Sequence, residues 1–456
     1  MTERLATEHR INLRLPAEVF EAIEKLRHEG NGKLSYNAWV ELAIEEKIQR
    51  DLRRAAPAPR PAEAQRTFYE FFAGGGMARL GLGPNWCCLF ANDFDLDKAR
   101  AYRENWNGGA ELVVEDVGKL TLSHLPKDIT ADLAWASFPC QDLSVAGSNA
   151  GLGNGDEKAL TRSGTFWPFW RLLNAAEERK PNVIVLENVC GGLTSNAGRD
   201  FAAIGRAFVE SGYKFGAMVV DAKHFVPQSR PRVFIVGVKE QLFVASTLVA
   251  AEPIDDWHTN AVKTAYGQLA EDVKRHWIWW KLPPPPARTS RFADVIEEEP
   301  QGVEWHSPEE TERLLDLMSP RNRKKVEQAK KSGKLHVGGV YRRTRKVEGT
   351  KRRAQRAEVR FDDIAGCLRT PSGGSSRQLI LVVYKNNVRS RLLSPREAAR
   401  LMGLPDTYVL PRNYNDAYYL CGDGVAAPAV RFVAEHLLEP LVDNNRAQVL
   451  LPLQAA

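Results

Sequence analysis

The middle of the chain alternates short apolar runs with segments of helical periodicity. Between Thr67 and about Val238 the strand-like runs are TFYEFFA, CLFAND, LVVEDV, DLAWASF, VIVLENV and RVFIVGV. Apolar strands that alternate with helices are typical of βαβ units, in which helices cover both faces of a mostly parallel sheet. We therefore predict a doubly wound, Rossmann-like α/β domain over residues 67–240.

The N-terminal segment has a different pattern. Residues 9–15, HRINLRL, alternate polar and apolar side chains, which predicts a strand. Apolar residues then recur at helical spacing from Pro16 to Gly30, and Ser35 fits the N-cap of a second helix. A strand and two helices in residues 1–50 can bury only a small core, so we expect this unit to dimerise.

This strand-helix-helix segment resembles the ribbon-helix-helix DNA-binding family, in which paired strands from two chains enter the major groove. The resemblance implies that alternate strand residues contact bases and that the helix start near Ser35 contacts a phosphate. The residues it places at the bases are Arg10, Asn12 and Arg14. The alternative is a polar edge strand in a module that only dimerises.

Composition changes mark the remaining boundaries. Residues 51–66 mix Pro, Ala and Arg without apolar periodicity, which predicts a semi-stiff linker. After Lys239 the alternation is lost, and residues 241–365 form a basic region of low periodicity. Regular patterning returns in residues 366–456, where we expect the last helix, around residues 427–438, to rejoin the α/β domain.

Charge and cysteine content narrow the functional classes. The net charge is +6, and positive side chains collect at the N-terminus and in residues 321–356, which suits a nucleic acid. The six cysteines include no C-x-x-C pair, so we expect neither a zinc site nor a disulfide framework. The polar N-terminus and the lack of a long apolar run predict a cytoplasmic protein without a membrane anchor.

A glycine-rich turn follows the first predicted strand, in FYEFFAGGGMARLGLG at residues 68–83. Gly74 and Gly76 would let the backbone approach a ligand at the carboxyl end of that strand. Asp93 and Asp116 end the next two strands, where carboxylates could accept hydrogen bonds from ribose and adenine. The turn lacks the G-x-G-x-x-G spacing of dinucleotide sites. An adenosine-containing cofactor is indicated; the alternatives are a dinucleotide or a tight turn beside solvated acids.

A cysteine follows another buried strand in DLAWASFPCQDLSVAG, residues 132–147. A lone cysteine is more often a packed core residue than a nucleophile. However, Glu187 and Asn188 end the following strand, and Cys140 should share their edge of the sheet. The segment PQSRPRVFIVG adds Gln228, Arg230 and Arg232 at the start of a further strand.

Taken together, residues 67–441 resemble the 5-methylcytosine DNA methyltransferase family. The shared motifs, in the family's order, are the FAG turn, PCQ, ENV, Q-x-R-x-R, LSPREAARLMGLPD from Leu393, and G-x-G-V at residues 422–425. The resemblance implies transfer of a methyl group from S-adenosylmethionine to carbon 5 of a flipped-out cytosine, leaving S-adenosylhomocysteine, with no metal.

The family's chemistry assigns three catalytic roles. Cys140 is the nucleophile that attacks carbon 6 of the ring and so activates carbon 5. Glu187 is the acid at ring nitrogen 3, which requires a pKa raised by burial. Arg232 lies beside the base carbonyl and the thiolate.

The resemblance also assigns binding residues. Cofactor contacts carry over to Phe72, Ala73, Gly74, Gly76, Asp93, Phe94, Asp116, Val117, Pro139, Phe166, Asp423 and Val425. DNA contacts carry over to Gln141, Ser144, Asn188, Gln228 and Arg230. The small, polar loop at residues 141–155 could close over the flipped base.

Two residues depart from the family pattern. Met77 replaces the second glycine of a G-G pair, and Asp423 replaces an asparagine. The first could alter cofactor packing. The second adds a carboxylate that would repel the carboxylate of methionine or face its ammonium.

The resemblance places target recognition in residues 241–365, where basic runs suit DNA phosphates. The function predicted is DNA (cytosine-5)-methyltransferase, with a homodimer through the N-terminal unit and a restriction endonuclease as a possible partner. If the source is bacterial, the protein is expected at the nucleoid. The alternatives are a transcriptional regulator, which could coexist with methylation as autoregulation, and a tRNA cytosine-5 methyltransferase.

Overall fold

The computed structural model describes residues 15–29, 65–139, 162–346, 353–370 and 377–450, together with Tyr36, Trp39, Val40, Ala43, Ile44 and Lys47. The chain divides into two compact units, Met1–Pro57 and Ala58–Ala456. Some predicted site residues lie outside the described residues: Arg10, Asn12, Arg14, Cys140, Gln141 and Ser144. No helix among the described residues is long and apolar enough to cross a membrane.

In the N-terminal unit the first predicted helix is present as α1, Ala17–Glu29. Its Ile23 is buried, and Phe20 stacks on Tyr36 with ring centroids 5.1 Å apart. Val19 and Phe20 nevertheless remain 42% and 47% exposed. One copy of this unit therefore covers only part of its apolar surface. Except for Leu15, the predicted strand lies outside the described residues.

The second unit is built on a seven-stranded sheet of order β3-β2-β1-β4-β5-β7-β6. Its strands are β1 Arg66–Phe71, β2 Trp86–Asp93, β3 Leu112–Val114, β4 Leu133–Ala136, β5 Val183–Val189, β6 Tyr213–Asp221 and β7 Pro231–Lys239. The first five are parallel, and β7 pairs antiparallel with both β5 and β6. The α/β fold expected from the apolar alternation is confirmed.

Both faces of this sheet are buried. Trp135 and Val185 belong to one hydrophobic cluster, whereas their neighbours Ala134, Ile184 and Leu186 belong to another. Alternate side chains of a strand point to opposite faces, so the two clusters lie on opposite sides of the sheet. This explains why these strands are continuous apolar runs in the sequence.

The helices of the second unit pack mainly around this sheet, but the two within residues 308–331 pack against the smaller sheet described below. They are α2 Met77–Leu82, α3 Leu96–Asn105, α4 Phe166–Ala175, α5 Arg199–Glu210, α6 Asn260–Gly267, α7 Glu271–Lys274, α8 Pro308–Asp316, α9 Pro320–Lys331, α10 Pro395–Leu401, α11 Tyr414–Asp423, α12 Ala427–Val433 and α13 Glu439–Leu450. The final segment packs back on the start of the α/β unit: Arg66 bonds Asp443 through two hydrogen bonds of 2.9 and 2.6 Å.

A smaller sheet follows in the basic region. After the short pair β8 Val249–Ala250 and β9 Trp279–Trp280, its strands are β10 His336–Lys346, β11 Arg353–Arg360, β12 Leu379–Tyr384 and β13 Asn387–Leu392. All its pairings are antiparallel, in the order β11-β10-β12-β13. This sheet extends beyond residue 365, the boundary predicted from composition.

Candidate active site

The glycine turn between β1 and α2 opens onto space at one position only. A Cβ at Gly74 would meet no atom within 4 Å. At Gly75 it would collide with Tyr408, and at Gly76 with the ring of Trp106. The backbone φ is 55° at Gly74 and 77° at Gly76, where glycine avoids strain. Gly76 therefore serves packing, and Gly74 is the member of the turn that a ligand can approach.

Asp93, at the end of β2, braces this turn. Its Oδ2 accepts a hydrogen bond from the Gly74 amide at 2.8 Å, and its Oδ1 accepts one from the Asp95 amide at 2.9 Å. Burial raises the pKa of the Asp93 carboxyl, opposed by the charge of Lys98. The adjacent Phe94 is 68% exposed. An exposed aromatic face beside a buried carboxylate and an open glycine fits a nucleoside, so these residues suit an adenosine cofactor.

The other expected cofactor residues occupy varied positions. Asp116 is exposed, and its Oδ1 accepts a hydrogen bond from the Gly118 amide at 2.7 Å. Ala73, Val117 and Val425 are buried, whereas Phe72 and Pro139 are half-buried.

Phe166, an expected cofactor contact, lies in the hydrophobic core. Its side chain is completely buried, and its ring packs 5.6 Å from that of Phe138 and 5.4 Å from that of Trp170. A ring enclosed in this way supports the segment after β4 from within the core. The cofactor contact expected of Phe166 stays a prediction.

Both departures from the family pattern have a structural explanation. A Cβ at Gly424 would collide with the sulfur of Met77, so Met77 fills space that Gly424 leaves open. Asp423 is paired: its Oδ2 lies 2.7 Å from Nζ of Lys98. The negative charge of Asp423 is therefore offset by Lys98, which lies in a segment without a motif.

Glu187 lies at the carboxyl end of β5 and is 5% exposed. Its Oε1 is 3.2 Å from Nε of Arg232. The Ser137 hydroxyl donates a hydrogen bond to the same carboxylate, and Ser137 in turn accepts one of 2.9 Å from the Trp135 indole. Burial raises the pKa of Glu187, and Arg232 and Ser137 oppose the shift. The structure thus brings two of the three predicted catalytic residues into contact.

The strand directions explain this meeting. The parallel strands β4 and β5 end at one edge of the sheet, while the antiparallel β7 begins there, because Val189 of β5 pairs with Arg232. Ser137 and Pro139 follow β4 at the same edge. The next residue, Cys140, lies outside the described residues.

Asn188 anchors the segment that leads to Cys140. Its Nδ2 donates a 3.0 Å hydrogen bond to the Phe138 carbonyl, and its Oδ1 accepts one of 2.8 Å from the Val189 amide. The side chain is buried. Its hydrogen bonds therefore hold the segment that leads to Cys140, and the DNA contact expected of Asn188 stays a prediction.

Gln228 and Arg230 also differ from expectation, because neither side chain reaches solvent. Gln228 is fully buried. It donates a hydrogen bond of 2.7 Å to the Leu401 carbonyl and accepts one of 3.0 Å from the Leu368 amide. Arg230 is 1% exposed and donates to backbone carbonyls of separate segments, Leu368, Gly422 and Gly424. In this structure both belong to the protein framework and not to a DNA-contacting surface.

Sequence reasoning missed Ser137, Lys98 and Cys367. Burial works to raise the pKa of the Cys367 thiol, but Arg230, Arg232 and Arg369 together hold it below its ordinary value. Ser137 could have been noticed as the first residue after a strand that precedes the candidate nucleophile. Lys98 and Cys367 lie in segments without a motif.

Comparison with known proteins agrees with this site. Residues 66–439 match the family described as C-5 cytosine-specific DNA methylase. The Type II methyltransferase M.HpaII of Haemophilus parainfluenzae is 26% identical over 396 residues, covering 82% of this chain and 90% of that protein. M.NlaX of Neisseria lactamica is 24% identical over 372 residues, covering 81% of this chain and 95% of that protein.

Among solved structures, the S. pombe Dnmt2 methyltransferase aligns with a TM-score of 0.50 and 16% identity, covering 83% of this chain and 99% of that one. At this identity the likeness supports the fold. Since the family match covers most of the sequence, the chain belongs to the C-5 cytosine-specific DNA methylase family and is a DNA (cytosine-5)-methyltransferase that uses S-adenosylmethionine.

Proposed function

We propose that Cys140 adds to carbon 6 of a cytosine flipped out of duplex DNA, with Glu187 as the acid at ring nitrogen 3. The observation that carries this assignment is the contact of Glu187 with both Arg232 and Ser137. Ser137 lies three residues before Cys140. The acid, the cation and the nucleophile's segment thus meet at one edge of the sheet.

In the first step the Cys140 thiolate forms a bond to carbon 6, and the electrons of the 5,6 double bond make carbon 5 nucleophilic. Protonated Glu187 gives its proton to ring nitrogen 3, which keeps negative charge from accumulating on the ring. Arg232 favours the ionised thiol and the developing charge.

S-adenosylmethionine supplies the electrophilic methyl group. Carbon 5 takes that methyl, which leaves S-adenosylhomocysteine, and then loses its proton to a base. Ring nitrogen 3 returns its proton to Glu187, and the thiolate of Cys140 leaves as the double bond re-forms. Gly74, Asp93 and Phe94 are the residues whose geometry suits the cofactor. The loop at residues 141–155 lies outside the described residues; we expect it to close over the flipped base, with Ser144 at the DNA backbone and Gln141 in contact with the DNA.

Glu187→Gln should lower the rate of methyl transfer at neutral pH by about 10²-fold or more, because an amide cannot give up a proton to the ring. Since burial raises the pKa of Glu187, the acid form persists to higher pH than in a free glutamate. The wild-type rate should fall once pH passes that pKa, and the variant should lack this alkaline fall. Single-turnover rates across pH measure both effects.

The matched control is Glu178→Gln, which changes an exposed carboxylate and should leave rate and pH profile as in the wild type. A Glu187→Gln enzyme with the wild-type rate and the same alkaline fall would remove Glu187 from the acid role.

We infer that the smaller sheet contacts DNA within the recognition region. In the β10–β11 hairpin, Arg343 lies directly opposite Arg356, and Arg345 opposite Ala354. Like charges opposite each other on one face destabilise a hairpin. Arg345 is held by Glu358 at 2.6 Å. A DNA backbone offers the anions that offset the remaining repulsion.

We further infer that the N-terminal unit is a ribbon-helix-helix dimerisation module that also contacts DNA, through Arg10, Asn12 and Arg14. The exposed apolar side chains of Val19, Phe20 and Ile44 support pairing with a second copy. The family match begins at residue 66, so this unit is an addition to the enzyme.

Deleting residues 1–60 should convert a dimer to a monomer while methyl transfer stays measurable, because the α/β unit has its own core. Sedimentation velocity of the full chain and the deletion tests this. Phe20→Glu should have the same effect as the deletion, whereas Glu21→Gln on the same helix should leave the dimer intact. A full chain that sediments as a monomer contradicts the dimer.

The relatives named Type II methyltransferases suggest a restriction endonuclease as partner and a place in the cytoplasm, at the nucleoid of a bacterial host. In such a setting an N-terminal DNA-binding unit could repress the enzyme's own gene. A footprint on its promoter tests this regulation, and a footprint unchanged by Arg10→Ala would give the predicted strand a structural role and not a DNA contact. The tRNA alternative is not favoured, because the matching family acts on DNA.

A further inference from the structure

An unusual group of charges borders the glycine turn. Nζ of Lys98 lies 2.7 Å from Oδ2 of Asp423, joining the start of α3 to the end of α11 across 325 residues of sequence. Asp93 and Asp95 also act on the same ammonium, and burial opposes its charge. The group is therefore one cation among three carboxylates.

The pair is continuous with the proposed cofactor cleft on both sides. Asp93 accepts the Gly74 amide, and Asp95 caps α3 by accepting the Lys98 amide at 3.1 Å. On the other side, Gly424 follows Asp423 and packs against Met77, which follows the glycine turn. Lys98 and Asp423 thus belong to the rim of the site and not to a distant surface.

We propose that the Lys98–Asp423 pair sets the relative affinity of the enzyme for S-adenosylmethionine and S-adenosylhomocysteine. S-adenosylmethionine has a methyl group that S-adenosylhomocysteine lacks, and its sulfur carries a positive charge while that methyl is attached. Both carry the same ammonium and carboxylate, so an electrostatic potential at the sulfur changes the affinity of the first relative to the second. This inference rests on the use of S-adenosylmethionine and is independent of the roles of Cys140 and Glu187.

The sign of each effect follows from the charges. Without Lys98, the three carboxylates beside the cleft have no cation among them, so the sulfonium form gains affinity relative to the thioether. Without the Asp423 carboxylate, less negative charge offsets the Lys98 ammonium, so the sulfonium form loses affinity relative to the thioether. In the double variant the two changes cancel in large part.

Isothermal titration of the full-length protein without DNA measures both dissociation constants and requires no turnover. Lys98→Met should raise the preference for S-adenosylmethionine by about three- to tenfold, and Asp423→Asn should lower it by a similar factor. The double variant Lys98→Met/Asp423→Asn should return close to the wild-type ratio. The control Lys263→Met breaks an ion pair with exposed Asp255 and should leave the ratio unchanged.

A purely structural pair would change the melting temperature and both affinities together and leave their ratio constant. An equal ratio in all variants, or shifts of the same sign in both single variants, overturns the proposal. If Lys98→Met does not fold, the nearly isosteric Asp423→Asn still decides it. Failure of the wild type to bind either molecule would instead contradict the use of this cofactor.

Discussion

Cys140→Ser should abolish methyl transfer to DNA while DNA binding persists. A serine hydroxyl at neutral pH is a far weaker nucleophile than a thiolate, and without addition to carbon 6 the ring's carbon 5 is not activated. Incorporation of labelled methyl from S-adenosylmethionine into DNA measures the loss, and a gel-shift assay measures binding.

The matched control is Cys87→Ser. Cys87 lies in β2, half-buried, and the variant should retain activity close to that of the wild type. Label incorporated by Cys140→Ser at the wild-type rate would show that another group attacks the base.

The second large effect is expected for Arg230→Met, this time on stability. The guanidinium donates hydrogen bonds of 3.0 Å to the Leu368 carbonyl and 2.7 Å to the Gly422 carbonyl, and it also donates one to the Gly424 carbonyl. Methionine fills similar space but leaves these acceptors without a donor, so we expect a loss of about 3–5 kcal/mol in the free energy of unfolding. Chemical denaturation measures it.

Arg171→Met is the corresponding control, because Arg171 is exposed on α4 and its replacement should be nearly neutral. If Arg230→Met unfolds at the wild-type midpoint but loses DNA affinity, Arg230 contacts DNA as the motif first suggested.

The fate of the Q-x-R-x-R motif shows where prediction from the sequence ends. Apolar periodicity places Glu187 at the end of one strand and Arg232 at the start of another, but it does not show that β7 runs antiparallel, which brings the two residues to one edge of the sheet. Periodicity does not tell which of several polar residues turns inward. Gln228 and Arg230 hold distant carbonyls, and those partners lie 137 or more residues away in the chain.

The smaller sheet was missed for a related reason. Two of its strands, β10 and β11, lie in the stretch described as basic and of low periodicity, because the outer part of the β10–β11 hairpin has no buried face to impose alternation. Only the inner part is marked, by buried Val340, Ala357 and Val359. A hairpin of this kind is specified by pairing with its neighbour and by packing of its base, which a single-sequence pattern does not display.

The course of that sheet bears on any exchange of target specificity between relatives. In the order β11-β10-β12-β13, the central ladder joins Gly339 to Ile380, on either side of residue 365. A chimaera cut at 365 would take β10 from one parent and β12 from the other. The side chains of these two paired strands would then come from different proteins and would have to pack together at the centre of the sheet. A transplant that runs from the start of β10 through Leu392 would carry the whole sheet intact.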